Sequence, residues 1–419
     1  MLAATTRKVL ISTASKATYA TAAAANAVKV ATTSNGLKIA SSEESGPTAS
    51  LAVVINGGAR AQNGSNAGVA HYLKNYGFKN NANRTAFRVT REAELAGGVL
   101  SSALSREALV YSAEFLKEDI DLFAELLSDV VSVQKFQEHE FLDVKHQTVS
   151  ESVTASHNSE ISAIEAAHHV AFRQGLGHSV FAKPTARISN ATVKAFAQEL
   201  FTQNNIALVG TNVDQATLEK LAETHFSKVP SSGSKLQFAS SKYFGGEARI
   251  ESGAQNGEFV IAFEGAAADS KEYAALQILH YALGGQSIVK YGPVTGLLGQ
   301  AATKLAGGSQ LKSFNYGYSD AGLFGVQVSA PVAESNHAIS AAAEQLKSIA
   351  KGLSSEDFNR GVALAKFAAA ARFDTRLDRL EAYGAQALQT GKLTTATEAI
   401  SHLEGVSTSD VAKVNLIVN

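Results

Sequence analysis

The chain has 419 residues, enough for two cores, and its 45% hydrophobic and 18% charged side chains exclude a disordered protein. Its 37 basic and 38 acidic residues leave a net charge of −1, which gives no electrostatic ground for a nucleic-acid partner. There is no cysteine, so disulfides, thiolate metal centres and cysteine nucleophiles are excluded, and no apolar stretch reaches the ~18 residues a membrane-spanning helix needs.

Along the chain, the first acidic residue is Glu43. The opening stretch sets Arg7, Lys8 and Lys16 among hydroxyl and small apolar residues and can form a basic amphipathic helix. That is the pattern of a mitochondrial transit peptide, expected over residues 1–20, with cleavage at about residues 16 to 26, near Tyr19. The folded part opens with a strand over 51–55 and an Asn56-Gly57-Gly58 turn. A helix around His71, a strand pair within 99–115 and helices over 116–131, 136–157 and 160–172 follow. The half closes with a strand at 206–210 and a helix at 216–226. Ser231 to Lys235 and the Gly245-Gly246 pair bracket a linker over 229–250, which divides a domain at 28–228 from one at 251–419.

The second half repeats the order: a strand at 258–264, a helix at 271–283, and a hairpin over 311–318 and 322–329 turning at Ser319-Asp320-Ala321. Helices at 338–350, 356–373 and 377–389 and a last strand at 414–418 complete it. Opening and closing strands stand about 155 residues apart in each half, which argues for an internal duplication. Strands followed by helices in this order give an α+β class, with helices laid on one face of a mostly antiparallel sheet.

The segment around His71 carries the chemistry. An inverted zinc helix has the form His-x-x-Glu-His: two imidazoles, four residues apart, hold the metal and the carboxylate between them takes the proton from its water. Here His71 keeps the first position, Lys74 stands at the base and Asn75 at the second ligand. Lysine offers only donors and a positive charge, so it can neither accept that proton nor favour a nearby cation. The other histidines in the helical region, His139, His146, His157, His168, His169 and His178, read as a solvated or partner-facing stripe. His168 and His169 are neighbours and cannot both face one metal from a regular helix. No Gly-x-Ser-x-Gly elbow or Walker-type phosphate loop is present, and the glycine pairs read as turns.

With this helix, the run Gly97-Gly98-Val99-Leu100 ending in Ser105-Arg106-Glu107 completes a pattern. The chain resembles the pitrilysin/insulinase-type peptidases in their mitochondrial branch. That branch holds the subunits of the mitochondrial processing peptidase and the core proteins of ubiquinol–cytochrome c reductase (respiratory complex III). The resemblance implies a third zinc-ligand position at Glu151, so that His71, Lys74, Asn75 and Glu151 form a degenerate relic with no functional metal or catalytic residue. It also implies two related α/β-roll domains facing each other across a cavity.

The second half narrows the choice. Ser241 to Arg249, Leu283 to Gly292 and Phe314 to Gly325 are similar to the core-two type of the complex III core proteins. The resemblance then implies a non-catalytic subunit that pairs with a core-one-like chain on the matrix side of the inner membrane. It would support assembly of the cytochrome b, cytochrome c-one and iron–sulfur subunits, reach the membrane only through partners and hold no cofactor. Two other readings stay open. One is the non-catalytic, substrate-binding subunit of the processing peptidase, against which the scattered glycines of 283–299 speak. The other is an active zinc metallopeptidase, against which Lys74 and Asn75 speak.

Overall fold

A computed structural model describes residues 28–231, 235–251, 253–285, 296–305, 308–389 and 391–415. The expected transit peptide lies outside the described residues, as does the Gln286–Gly292 part of the 283–292 pattern.

The first half runs β1 (Val28–Thr32), β2 (Lys38–Ser42), β3 (Thr48–Asn56), α1 (Val69–Asn75), α2 (Ala86–Leu95), β4 (Val99–Leu104) and β5 (Ala108–Leu116). It continues with α3 (Ile120–Ser132), α4 (Glu138–His157), α5 (Ser159–Phe172), α6 (Asn190–Leu200), β6 (Ile206–Thr211) and α7 (Gln215–His225). Its strands form a six-stranded sheet in the order β1-β2-β6-β3-β5-β4, in which the β2–β6 pair is parallel and the other neighbours antiparallel. The second half runs β7 (Asn256–Gly265), α8 (Lys271–Leu283), α9 (Gly296–Ala302), β8 (Gln310–Gly317), β9 (Gly322–Pro331), α10 (Ser335–Ala350), α11 (Ser355–Ala371), α12 (Arg376–Gln389), α13 (Ala396–Glu404) and α14 (Thr408–Asn415). Its three described strands form an antiparallel sheet, β7-β9-β8. Side-chain caps fix several helix starts: Ser189, Asp214, Ser270 and Ser354 each accept from a backbone N–H of the first turn, and Thr395 with Glu398 makes a capping box.

The central strand β3 reads Leu51-Ala52-Val53-Val54-Ile55, apolar at every position, the signature of a strand covered on both faces. Leu51, Val53 and Ile55 pack into the core built by the helices of their own half, among them Leu73, Phe123 and Val193. Ala52 and Val54 face the other way, onto Leu380, Tyr383 and Ala387 of α12, a helix of the second half. The exchange is reciprocal. Ala171 and Phe172 of α5, from the first half, pack on Phe314 and Leu323 of the second sheet, whose opposite face is covered by helices of its own half through Leu279, Val326, Ala342 and Ile349. The helices of each half thus lie on one face of its own sheet, as the sequence suggests, and the other face is covered by a helix lent by the other half.

The end of the chain departs from expectation. Val414 and Asn415, read as the start of a last strand, end helix α14, and the rest of that strand lies outside the described residues. Ser407 and Asp410 bond each other's backbone N–H at 3.3 and 3.1 Å at the helix start, and Val411 and Val414, one turn apart, enter the second core. The helix read over 116–131 begins at Ile120, because β5 holds its pairing with β3 as far as Leu116. The short elements β1, β2, α2, α6, α9 and α13 were not read from the sequence at all.

Candidate functional site

Helix α1 has seven residues and starts at Gly68, whose φ of 98° is left-handed. A Cβ there would also stand 2.7 Å from the Cβ of Ala182, so this position needs glycine twice over. From that start His71, Lys74 and Asn75 occupy positions i, i+3 and i+4 and share one face. The face meets Glu151 in the middle of α4.

Three donors converge on one oxygen. Glu151 Oε2 lies 2.6 Å from His71 Nε2, 2.8 Å from Lys74 Nζ and 3.2 Å from Asn75 Nδ2. The other oxygen, Oε1, accepts from Gln147 Nε2 at 3.0 Å. Asn75 also donates to Thr148 Oγ1 at 2.9 Å. On its far side His71 Nδ1 accepts the backbone N–H of Ala182 at 3.2 Å, and Phe181 sits edge-on to its ring. That bond fixes the tautomer: Nδ1 is the acceptor, so the proton is on Nε2 and points at Glu151.

Burial alone would raise the Glu151 carboxyl, but the hydrogen bonds from Lys74, His71, Gln147 and Asn75 outweigh it and hold the group down at about 2. Burial pushes His71 down, more than its bond to Glu151 pulls it up, and Lys74 adds a repulsion. The site at neutral pH is therefore a carboxylate, a neutral imidazole and one ammonium. His71 presents a hydrogen rather than a lone pair, and the Glu151 oxygen that faces it is already surrounded. In this arrangement His71 turns no free lone pair towards Glu151. Among the described residues no cluster of three or more His, Asp or Glu side chains is placed to hold a metal ion.

The structure brings together all four residues singled out in the sequence. Gln147 and Thr148 were missed; they stand one turn before Glu151, so helical spacing could have found them. The Ala182 N–H that sets the tautomer leaves no signal in the sequence. The histidine stripe needs a correction. His139, His146, His157 and His169 are exposed, but His168 is buried and bonds Ile164 O at 2.8 Å and the Tyr318 hydroxyl, across the seam, at 2.7 Å. An adjacent pair on a helix points about 100° apart, so one neighbour faces water and the other the second sheet.

A doubled sheet-and-helix body with this helix face is the architecture of an insulinase-type protein. Residues 38–184 match the model of insulinase (peptidase family M16), and residues 187–364 match that of the peptidase M16 inactive domain. The chain is 39% identical over 401 residues to the mitochondrial cytochrome b-c1 complex subunit 2 of Neurospora crassa, covering 94% of this chain and 87% of the relative. Proteins of the same description from Cryptococcus neoformans and Homo sapiens are 37% and 30% identical over 91% and 90% of this chain, and 87% and 84% of their own lengths. The chain belongs to the M16 insulinase family, in the group formed by these cytochrome b-c1 complex subunit 2 proteins.

Proposed function

We propose that this chain is a non-catalytic core subunit of mitochondrial ubiquinol–cytochrome c reductase, complex III, needed for the assembly and stability of the complex in respiratory electron transport. The observation that carries the reading is the 39% identity over nearly the whole chain to a protein described as a subunit of that complex. The site agrees with it. His71, Lys74, Asn75 and Glu151 form a closed hydrogen-bonded cage, a relic of a metal site with structural work only.

In this reading the chain pairs with a core-one-like chain and contacts the cytochrome b, cytochrome c-one and iron–sulfur subunits from the matrix side. Among the described residues no helix is long and apolar enough to cross a membrane, so attachment runs through those partners. The chain carries no cofactor of its own; haem and iron–sulfur chemistry belongs to its neighbours.

Native gel separation of gently solubilised mitochondrial membranes is the test. The chain is expected in a large, haem-staining assembly, which should lose its cytochrome content when the chain is depleted. Migration as a free pair in the matrix fraction, with the ability to restore presequence processing to a catalytic partner, would instead mark it as the substrate-binding subunit of the processing peptidase.

A further inference from the structure

Arg60 stands where the two halves and their connection meet. It lies in the 3-10 turn Ala59–Ala61 just after β3, with its side chain 2% exposed. Nη1 donates to Glu107 Oε1 at 2.6 Å, to Asp320 Oδ1 at 2.8 Å and to Ser319 Oγ at 3.0 Å. Nη2 donates to Asp320 Oδ2 at 2.6 Å and to the Ala239 carbonyl at 3.0 Å. The guanidinium carbon lies 5.0 Å from the centre of the Phe238 ring.

These partners come from three separate places. Glu107 is in the β4–β5 turn of the first half. Ser319 and Asp320 form the tip of the β8–β9 hairpin of the second. Phe238 and Ala239 belong to the connection, where residues 235–251 form neither helix nor strand. The partners also bind one another: Glu107 accepts from the Ser319 hydroxyl at 2.5 Å and its N–H at 3.0 Å, and Asp320 accepts the Ser241 N–H at 2.7 Å.

We infer that Arg60 is an interdomain latch, which holds the hairpin tip of the second half and the connection against the first half at one fixed angle. The two exchanged helices, α5 and α12, attach the halves mainly through apolar faces, beside the His168–Tyr318 hydrogen bond and the pairs of Arg376 and Arg379 with Glu44, and apolar contact is not directional. A forked guanidinium on a carboxylate is: it is bidentate, planar and satisfied in one relative orientation. Any rotation of the halves would strip partners from a buried charge. The inference does not depend on which assembly the chain joins.

The chain has no cysteine, so Lys220→Cys and Lys347→Cys, both at exposed positions in opposite halves, give a clean pair of spin-label sites. With Arg60 intact a single narrow distance distribution is expected. Arg60→Ala should broaden it by about twofold or more and speed proteolysis within residues 235–251 by about tenfold, with helix content by circular dichroism unchanged. Arg60→Lys should also broaden it, since one ammonium cannot reproduce the fork. If Arg60→Ala does not fold, Asp320→Asn, at a side chain 27% exposed, is expected to give the same broadening. An unchanged distribution in Asp320→Asn and in every folded Arg60 variant overturns the latch.

Discussion

Glu151 collects four hydrogen bonds, yet only Lys74 brings it a charge, because the imidazole beside it is neutral. Replacing Lys74 with Met leaves a half-buried carboxylate with neutral donors alone. The expected cost is about 1–3 kcal/mol in urea denaturation at neutral pH, and an unchanged midpoint would show the pair to be idle. The sign in acid follows from the depressed carboxyl. Its contribution is present above the ordinary value of 4.5 and is lost as pH falls through that value towards about 2. Glu151→Gln should therefore lower stability at pH 7 and lose that difference across this window. Purified protein is expected to carry zinc well below one equivalent by elemental analysis; a stoichiometric content would mean that the cage opens. Residue types and spacing made His71, Lys74 and Asn75 legible in the sequence, and the family resemblance added Glu151. The cage that joins them was not fully legible, because the member that sets the His71 tautomer is a backbone N–H, which no residue type marks.

Elements were legible in proportion to their length and periodicity. Helices α4, α5, α8, α10, α11 and α12 repeat an apolar position often enough to be read. Strands β1, at the edge of the first sheet, and β2, next to it, have five residues each and too little pattern. Helix α12 shows the limit. Its existence follows from the sequence, but the sheet it covers does not. Gly384 lets it lie close on β3, where a Cβ would overlap the side chain of Val54. Gly384→Ala should lift the helix and cost about 1–3 kcal/mol in thermal unfolding, even though alanine is the better helix former. A gain in stability would show that the helix has room to shift.

Across the whole molecule, the interior holds imidazoles that burial keeps neutral. His168, between the halves, is pushed down to about 3 by burial and by the charge of Arg106, and burial takes His280, in the second half, to about 4. Unfolding frees both to protonate at their ordinary value of 6.5, so below that pH the unfolded chain binds more protons. Stability should be flat above about pH 6.5 and fall steadily towards about pH 4, with proton uptake on unfolding measurable by calorimetry in buffers of different ionisation enthalpy. His168→Gln should flatten the slope; an equal slope would place the acid sensitivity elsewhere.

By itself the sequence determined the family, the doubled order of strands and helices and the loss of the chemical groups a metal site needs. Those are local facts, carried by residue type and by spacing within one helix or hairpin. Only the tertiary structure decided that each half covers the other's sheet, that the tautomer of His71 turns a hydrogen towards Glu151, and that Arg60 meets Asp320 across the seam. These depend on partners 260 positions apart in the chain for Arg60 and Asp320, and up to 349 for α12 on the first sheet. No periodicity links residues so far apart; only the packing of both halves brings them within bonding distance.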